Sequence, residues 1–295
     1  MKTVLITGAH SYIGTSFEKY VHEHYASELS IDTVDMVDGS WRNKDFSSYD
    51  IVYHVAGIAH ADVGNVSDQV KAKYYAINTH LAIETCQKAK AEGVKQFVFM
   101  SSAIIYGDSA GYKKTKRITK DTEPAPANFY GDSKWQADKG VRELAGDSYT
   151  VTVLRPPMIY GKGSKGNYQT LAKMAKKLPV FPNVSNERSM LYIENLCELL
   201  AQVMIRGQGG IFWPQNGQYT KTSEMVRIIG QVSGHRIAVS KAWNWMVGLA
   251  AHIPGKISGL ANKAFGSLSY DQSMSTYDFK YQVIDLRTSI ERTEG

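Results

Sequence analysis

An α/β fold, a doubly wound parallel sheet followed by a smaller mixed α/β region, is predicted by three features of the sequence. Short apolar runs alternate with helical patterns of about 10–18 residues through the first half of the chain. The first run ends in a glycine-bearing turn, Thr7-Gly8-Ala9-His10-Ser11-Tyr12-Ile13-Gly14, which leads directly into a helical pattern. After Arg155-Pro156-Pro157 the texture changes to short irregular segments interrupted by Pro179, Pro182 and Pro214.

Taken in order, residues 3–6 read as a strand and 14 to about 25 as a helix. Residues 32–37 form a second strand and 51–55 a third, bounded by Asp50 and Gly57. Helical periodicity runs over 74–91 and stops at Gly93. Strand 97–100, helix 133–144 and strand 151–154 complete the alternation. Residues 1–165 are therefore expected to form a nucleotide-binding domain. Residues 166–295 are expected to form mainly a substrate domain, with some segments free to return to the first sheet, lying over the carboxyl edge where open α/β sheets bind ligands.

The chain has 295 residues, 43% hydrophobic, enough apolar content for a sizeable core and too much for a disordered tail. Cys86 and Cys197 have no CxxC partner, so no metal site is expected, and they read as buried thiols of a reducing cytosol. No signal-peptide pattern opens the chain, and a cytoplasmic location is expected. The net charge of +6 favours an anionic partner, but the cations are scattered apart from Lys113-Lys114 with Lys116-Arg117 and the pair Lys176-Lys177. A solvated loop is the expected place for the first cluster, and no nucleic-acid-binding signature accompanies it. The apolar stretch 243–251 is too short to cross a bilayer; a packed C-terminal helix is expected there, with peripheral membrane contact as the alternative.

The glycine turn after the first strand has the chemistry of a dinucleotide phosphate loop. Gly8 permits the tight turn and Gly14 permits close helix-to-strand packing. The helix beginning around Ser11, Tyr12, Ile13 and Gly14 would aim its NH groups and positive dipole end at a pyrophosphate. Asp35 follows Gly14 by 21 residues, the spacing at which a carboxylate grips the adenosine ribose. A carboxylate there repels a 2′-phosphate, so NAD is the expected cofactor. Asp38 is the second choice for this role, and Asp32 is expected at the surface. Ser11 stands where a middle glycine would let backbone approach phosphate, and its hydroxyl can donate instead.

Tyr130 and Lys134 are four apart at the start of a predicted helix, so both lie on one face. A tyrosine acting as a base near neutrality needs its pKa lowered by about three units, or about 4 kcal/mol of electrostatic help. A neighbouring ammonium and an oxidised nicotinamide could provide that. Spacing alone is weak evidence, because Tyr112 and Lys116 repeat it in a lysine-rich loop. Context separates the pairs: Tyr130 lies downstream of a strand ending at Met100-Ser101-Ser102, where Ser102 could hydrogen-bond the same substrate oxygen.

With these residues in place, the chain resembles the extended short-chain dehydrogenase/reductase superfamily, particularly its nucleotide-sugar epimerases and reductases, over essentially its whole length. The resemblance rests on the phosphate loop, His54-Val55-Ala56-Gly57, Asn78, Ser101-Ser102-Ala103 with Tyr106-Gly107, Tyr130-Gly131-Asp132-Ser133-Lys134, and Leu154 through Gly161. It implies a Rossmann domain in which Tyr130 is the general base and acid, Lys134 tunes it and holds the nicotinamide ribose, and Ser102 orients the sugar hydroxyl. The backbone at Val55, Ala56 and Gly57 would pass under the cofactor, with Asn78 fixing the active-site helix. Asn167 and Arg188 would bind the nucleoside diphosphate of a UDP-sugar. The resemblance also implies a homodimer paired through the Tyr130 helix and its neighbour.

Relatives that dehydrate a hexose carry an acidic pair directly after the strand-end hydroxyl residue, whereas this chain has Ala103 and Ile104. Without those carboxylates a 4,6-dehydratase is disfavoured. Two enzymes remain, a UDP-sugar 4-epimerase passing through a 4-keto intermediate and, as the alternative, a 4-ketoreductase of surface-polysaccharide synthesis. The first is favoured. A non-catalytic redox sensor on the same fold is disfavoured because Ser102, Tyr130 and Lys134 are all retained. Some relatives act on lipid-linked sugars, which would give residues 243–251 a purpose.

Overall fold

The computed structural model describes residues 1–59, 66–253 and 256–295. Its centre is a parallel six-stranded sheet made of β1 (Lys2–Thr7), β2 (Leu29–Val34), β3 (Ile51–His54), β4 (Gln96–Met100), β6 (Thr150–Leu154) and β10 (Gly210–Phe212). Their spatial order is β10-β6-β4-β3-β1-β2. The order reverses between β1 and β3, which opens a crevice at their carboxyl ends, the place where such sheets bind ligands.

Both faces of the sheet are covered, which explains why its inner strands read as near-continuous apolar runs rather than alternating ones. Val4, Ile6, Ile51, Tyr53 and Val98 point to one face, where Phe17 and Val21 meet Leu196, Leu199, Leu200 and Val203. These come from α1 (Tyr12–His24) and α6 (Ile193–Arg206). Leu5, Val52, Phe97, Phe99 and Val153 point to the other face, against Ala82, Cys86, Ala89, Ala137 and Val141. The covering helices there are α3 (Leu81–Ala91) and α4 (Phe129–Arg142). Each fully buried large aliphatic or aromatic side chain contributes about 1.5–3 kcal/mol.

Boundaries differ from the sequence expectation in three places that matter to the site. The second strand starts at Leu29 and ends at Val34, so Asp35 lies just beyond it, at the crevice. Helix 74–91 is the C-terminal part of a longer helix. It begins as α2 (Asp68–Tyr74) and passes through a π-helical stretch, Tyr75–His80, before α3. The third change is at α4, which begins at Phe129 rather than 133, because Asn128 caps it by accepting the Gly131 NH at 3.0 Å. Tyr130 therefore sits in the first turn.

The segment after residue 166 is divided between sheet and lid. Helix α6 packs on α1, and β10 extends the sheet beside β6. The remaining strands, two of them from before residue 166, form three small parallel ladders. These pair β7 (Met158–Tyr160) with β9 (Met190–Tyr192), β8 (Val180–Pro182) with β11 (Ala238–Ser240), and β12 (Ser269–Tyr270) with β5 (Arg117–Ile118). Helices α5 (Asn167–Lys177), α7 (Thr222–Val232), α8 (Asn244–His252), α9 (Lys256–Phe265) and α10 (Leu286–Glu294) belong to this part of the chain. No helix among the described residues is long and apolar enough to cross a membrane.

Candidate active site

The loop after β1 is shaped as the glycine pattern demands. Gly8 has φ 95°, and a Cβ there would lie 3.1 Å from the Ala56 backbone, so the turn and the β3 end approach too closely for a side chain. The Gly8 NH donates to the Val34 carbonyl at 2.9 Å, which holds the loop against the end of β2 and beside Asp35. Ser11 caps α1 by accepting the Gly14 NH at 3.1 Å. That contact occupies an oxygen lone pair and leaves the hydroxyl proton available to an anion, so serine serves both as helix cap and as donor. The Tyr12 ring turns away beneath the 161–163 loop, where its buried hydroxyl has no hydrogen-bond partner. Its burial pushes the phenol pKa up. From Tyr12 and Ile13 the loop thus offers helix-terminal backbone rather than side chains.

The three acids after β2 separate clearly. Asp32 is held by Lys44 at 2.9 Å and by the Tyr49 hydroxyl. Asp38 accepts the Ser40 NH and hydroxyl within its own loop. Asp35 is exposed at the crevice, and one of its oxygens accepts the Val37 NH at 2.9 Å. Of the three it is the one whose hydrogen-bond partners among the described residues include no side-chain donor.

Tyr130, Lys134 and Ser102 converge at the carboxyl end of β4. Lys134 is 7% exposed and its Nζ donates to the Met100 carbonyl at 3.1 Å, over the Phe99 ring. Burial pulls its pKa down to about 8. Gly57 keeps this approach open, since a Cβ would stand 3.1 Å from both the Lys134 Nζ and the Asn78 Oδ1 and crowd them. Burial pushes the Tyr130 phenol up to about 12, the Tyr74 ring adds to this, and the neighbouring Ser102 hydroxyl opposes it. Tyr74 packs edge-on to Tyr130 at 5.9 Å between centroids. Ser102 also caps the short turn Ala103–Tyr106 through the Ile104 NH at 3.3 Å.

Asn78 is buried, and its amide binds both backbone groups of Ile58 (2.8 and 3.1 Å) and the Ser133 hydroxyl at 3.2 Å. Thr79 adds a bond to the Ser133 carbonyl at 2.7 Å. The π-helical stretch thus fastens the loop after β3 to α4, one residue from Lys134. This clamp is a tertiary feature; its only sequence trace was Asn78 itself.

A second support went unrecognised in the sequence. Asp138, one turn beyond Lys134 and fully buried, accepts two bonds from Arg155 (2.8 and 2.9 Å) and one from the Ser101 hydroxyl at 2.8 Å. Arg155 then reaches the Tyr106 hydroxyl at 2.7 Å, which also accepts the Trp213 indole NH. The network ties α4 to the ends of β4 and β6. Asp138 and Arg155 are 17 residues apart, and nothing in their local patterns pairs them.

Asn167 is exposed at the first position of α5. Arg188 lies on the lid, its backbone bridged to Thr220 and its guanidinium donating to the Gly266 carbonyl at 3.1 Å. Burial lowers its pKa.

Residues 4–212 match the model of the NAD dependent epimerase/dehydratase family. The chain belongs to that family. A UDP-glucose 4-epimerase of Vibrio cholerae is 28% identical over 302 residues, covering 92% of this chain and 88% of that one. An N-acetyl-α-D-glucosaminyl-diphospho-ditrans,octacis-undecaprenol 4-epimerase of Escherichia coli O157:H7 is 26% identical over 215 residues, covering 67% of this chain and 61% of its own. Among solved structures, the UDP-glucuronic acid 4-epimerase of Bacillus cereus in complex with NAD superposes with a TM-score of 0.71 at 15% identity, over 99% of this chain and 95% of that one. The structural likeness supports the fold.

The donor set in the crevice fits the family's dinucleotide. The close approach of Gly8 to Ala56, the spare Ser11 proton, the exposed Asp35 and the buried Lys134 are the groups such a ligand needs at phosphate, ribose and nicotinamide ends.

Proposed function

We propose that this protein is a 4-epimerase of a UDP-sugar, with NAD held by the loop from Gly8 to Gly14, by Asp35, and by the backbone at Val55, Ala56 and Gly57. The observation that carries this reading is the convergence of Tyr130, Ser102 and buried Lys134 at the end of β4, beside that crevice. The similarity to a UDP-glucose 4-epimerase across 92% of the chain supports it. Bound NAD supplies a hydride acceptor and donor.

The protein's own residues manage the proton. Tyr130 takes it from the C4 hydroxyl of the sugar and later returns it to the C4 oxygen. Ser102 donates a hydrogen bond to that same oxygen and fixes the sugar's distance from the phenol. In the unliganded site, burial holds the phenol near 12, so acting as a base near pH 7 requires a drop of about five units, about 7 kcal/mol. The Lys134 ammonium contributes to that drop when the ribose hydroxyls and Tyr130 replace its carbonyl contact. Because its own pKa is near 8, it can share the proton at little cost. Asn78 and Asp138 keep the helix still while the proton moves. Arg188 and Asn167, on the lid, bind the diphosphate, and guanidinium suits that anion by bidentate bonding. Ala103 and Ile104 place no carboxylate beside Ser102, so elimination of water from the sugar has no acid or base there.

The test is incubation of the purified chain with UDP-glucose, UDP-galactose and their N-acetyl analogues, with and without added NAD or NADH. Formation of 4-epimers without consumption of NADH supports the epimerase. Stoichiometric NADH oxidation on a 4-keto sugar nucleotide would replace it with the reductase, and inactivity towards both would remove the enzyme reading.

A further inference from the structure

The helix expected to pack in residues 243–251 does form, as α8, but it does not hide its apolar side. It buries Val247 and leaves Trp245, Met246, Leu249 and, just beyond it, Ile253 exposed at 61%, 49%, 60% and 46%. These residues recur at helical spacing and so share one face. Trp243 in the preceding turn is 38% exposed. A surface helix ordinarily turns its largest apolar groups inward, and α8 does the reverse.

The stretch of sequence that carries this face has charges of one sign: from Met225 to Tyr270 it contains no aspartate or glutamate, and its cations include Lys241, exposed in the short turn that precedes α8. The basic loop joins the same region, because Tyr112 donates its hydroxyl to the Asn244 carbonyl at 3.1 Å and its NH to the Asn262 Oδ1 at 2.9 Å. The Tyr112 ring also packs on Gly248. Exposed Lys113 and Lys114 are thereby held at the margin of α8.

We propose that α8 and the loop bearing Lys113 and Lys114 form a docking surface for an anionic phospholipid bilayer. Tryptophan is suited to the boundary between headgroups and acyl chains, where its ring is buried and its NH stays wet. Leu249, Met246 and Ile253 enter the acyl edge, and the lysines meet lipid phosphates. Nine helical residues give contact and not a span. A second copy of the chain is a poor occupant, since pairing like faces would bring Lys113, Lys114 and Lys241 of the two copies together. The surface is independent of the catalytic reading and stands or falls without it.

The experiment is co-sedimentation of the full chain with vesicles of phosphatidylcholine alone or phosphatidylcholine with 30% phosphatidylglycerol. Tryptophan emission and the sedimentation-velocity mass are recorded in parallel. The expected result is binding to the anionic vesicles only, with a blue shift of emission and loss of binding at high salt. Trp245→Glu with Leu249→Glu, and separately Lys113→Glu with Lys114→Glu, should each weaken partitioning by about tenfold or more. The lysine pair is solvent-exposed, so that variant should keep its fold and melting temperature. Equal partitioning of wild type onto both vesicle types would overturn the proposal. So would unchanged binding in the lysine variant, or a fall in oligomer mass in the tryptophan–leucine variant without any change in lipid binding.

Discussion

The loop carrying Tyr112 and Lys116 and the helix carrying Tyr130 and Lys134 contain the same tyrosine–lysine interval and put it to opposite uses. In the loop, Lys116 donates to the Tyr106 and Asp108 carbonyls and Tyr112 spends its hydroxyl on the Asn244 carbonyl. Both side chains act as fasteners between segments. In the helix, the cap at Asn128 brings Tyr130 and Lys134 into successive turns of one face, and the sheet beneath them removes Lys134 from water. The interval does not make the site; the regular backbone and the burial do. A buried ammonium such as Lys134 has a lowered pKa and can exchange a proton near neutrality.

Substitutions at matched positions would break or sharpen this contrast. The largest effect is expected for Tyr130→Phe, which should lower epimerisation of the preferred UDP-sugar by about 10²- to 10⁴-fold. Tyr112→Phe should leave the rate within about twofold. Comparable rates for the two variants would dissolve the distinction.

Removing a support of the helix should cost stability before chemistry. Asp138→Ala leaves the Arg155 guanidinium buried without its carboxylate, and should destabilise the fold by about 3–5 kcal/mol in urea melts. The loop has no counterpart: Lys116→Met removes two carbonyl contacts and should cost about 1 kcal/mol.

Lys134→Met should reveal the energy of burying the ammonium. The folded pKa of Lys134, about 8, lies below its usual 10.5, so above pH 8 the unfolded chain holds a proton that the folded one has released. Stability from this group therefore rises with pH between about 8 and 10.5, and below pH 8 the full penalty, on the order of 3 kcal/mol, is present. The methionine variant should be more stable than wild type at pH 7, and the gap should shrink as pH approaches 10. A pH-independent gap would mean that Lys134 is not desolvated as described.

Smaller effects belong to the periphery. Asn78→Ala should cost about 1–3 kcal/mol, because it orphans the Ile58 backbone groups, and it should lower the rate less than Tyr130→Phe. Ser11→Gly should change stability by only a few tenths of a kcal/mol, since glycine is a tolerable cap. A rise in the dissociation constant for NAD in that variant, measured by fluorescence titration, would show that the serine proton serves the ligand as well as the helix.

The alternation of strands and helices was legible because a parallel strand covered on both faces must be largely apolar, and 3–6, 51–55, 97–100 and 151–154 are so apart from Thr3, His54 and Thr152. The phosphate loop was legible because a positive φ at Gly8 and the close packing at Gly14 leave little choice of residue. The π-helical stretch was not legible, since it follows from where Asn78 must reach across to Ile58 and Ser133. Nor was β10, a three-residue strand whose identity comes from its neighbour β6. The expectation that 243–251 packs inward was corrected for a related reason: periodicity identifies an apolar face without saying what lies against it.

The sequence by itself determined the order of elements, the turn at Gly8, and the candidate chemistry of Tyr130, Lys134 and Ser102, because these depend on local conformation and residue type. Only the tertiary structure decided that Lys134 loses its water, that Asp138 finds Arg155, and that α8 keeps Trp245 in solvent. Burial and pairing are properties of segments far apart in the chain, and desolvation is what turns an ordinary lysine into one that can trade a proton.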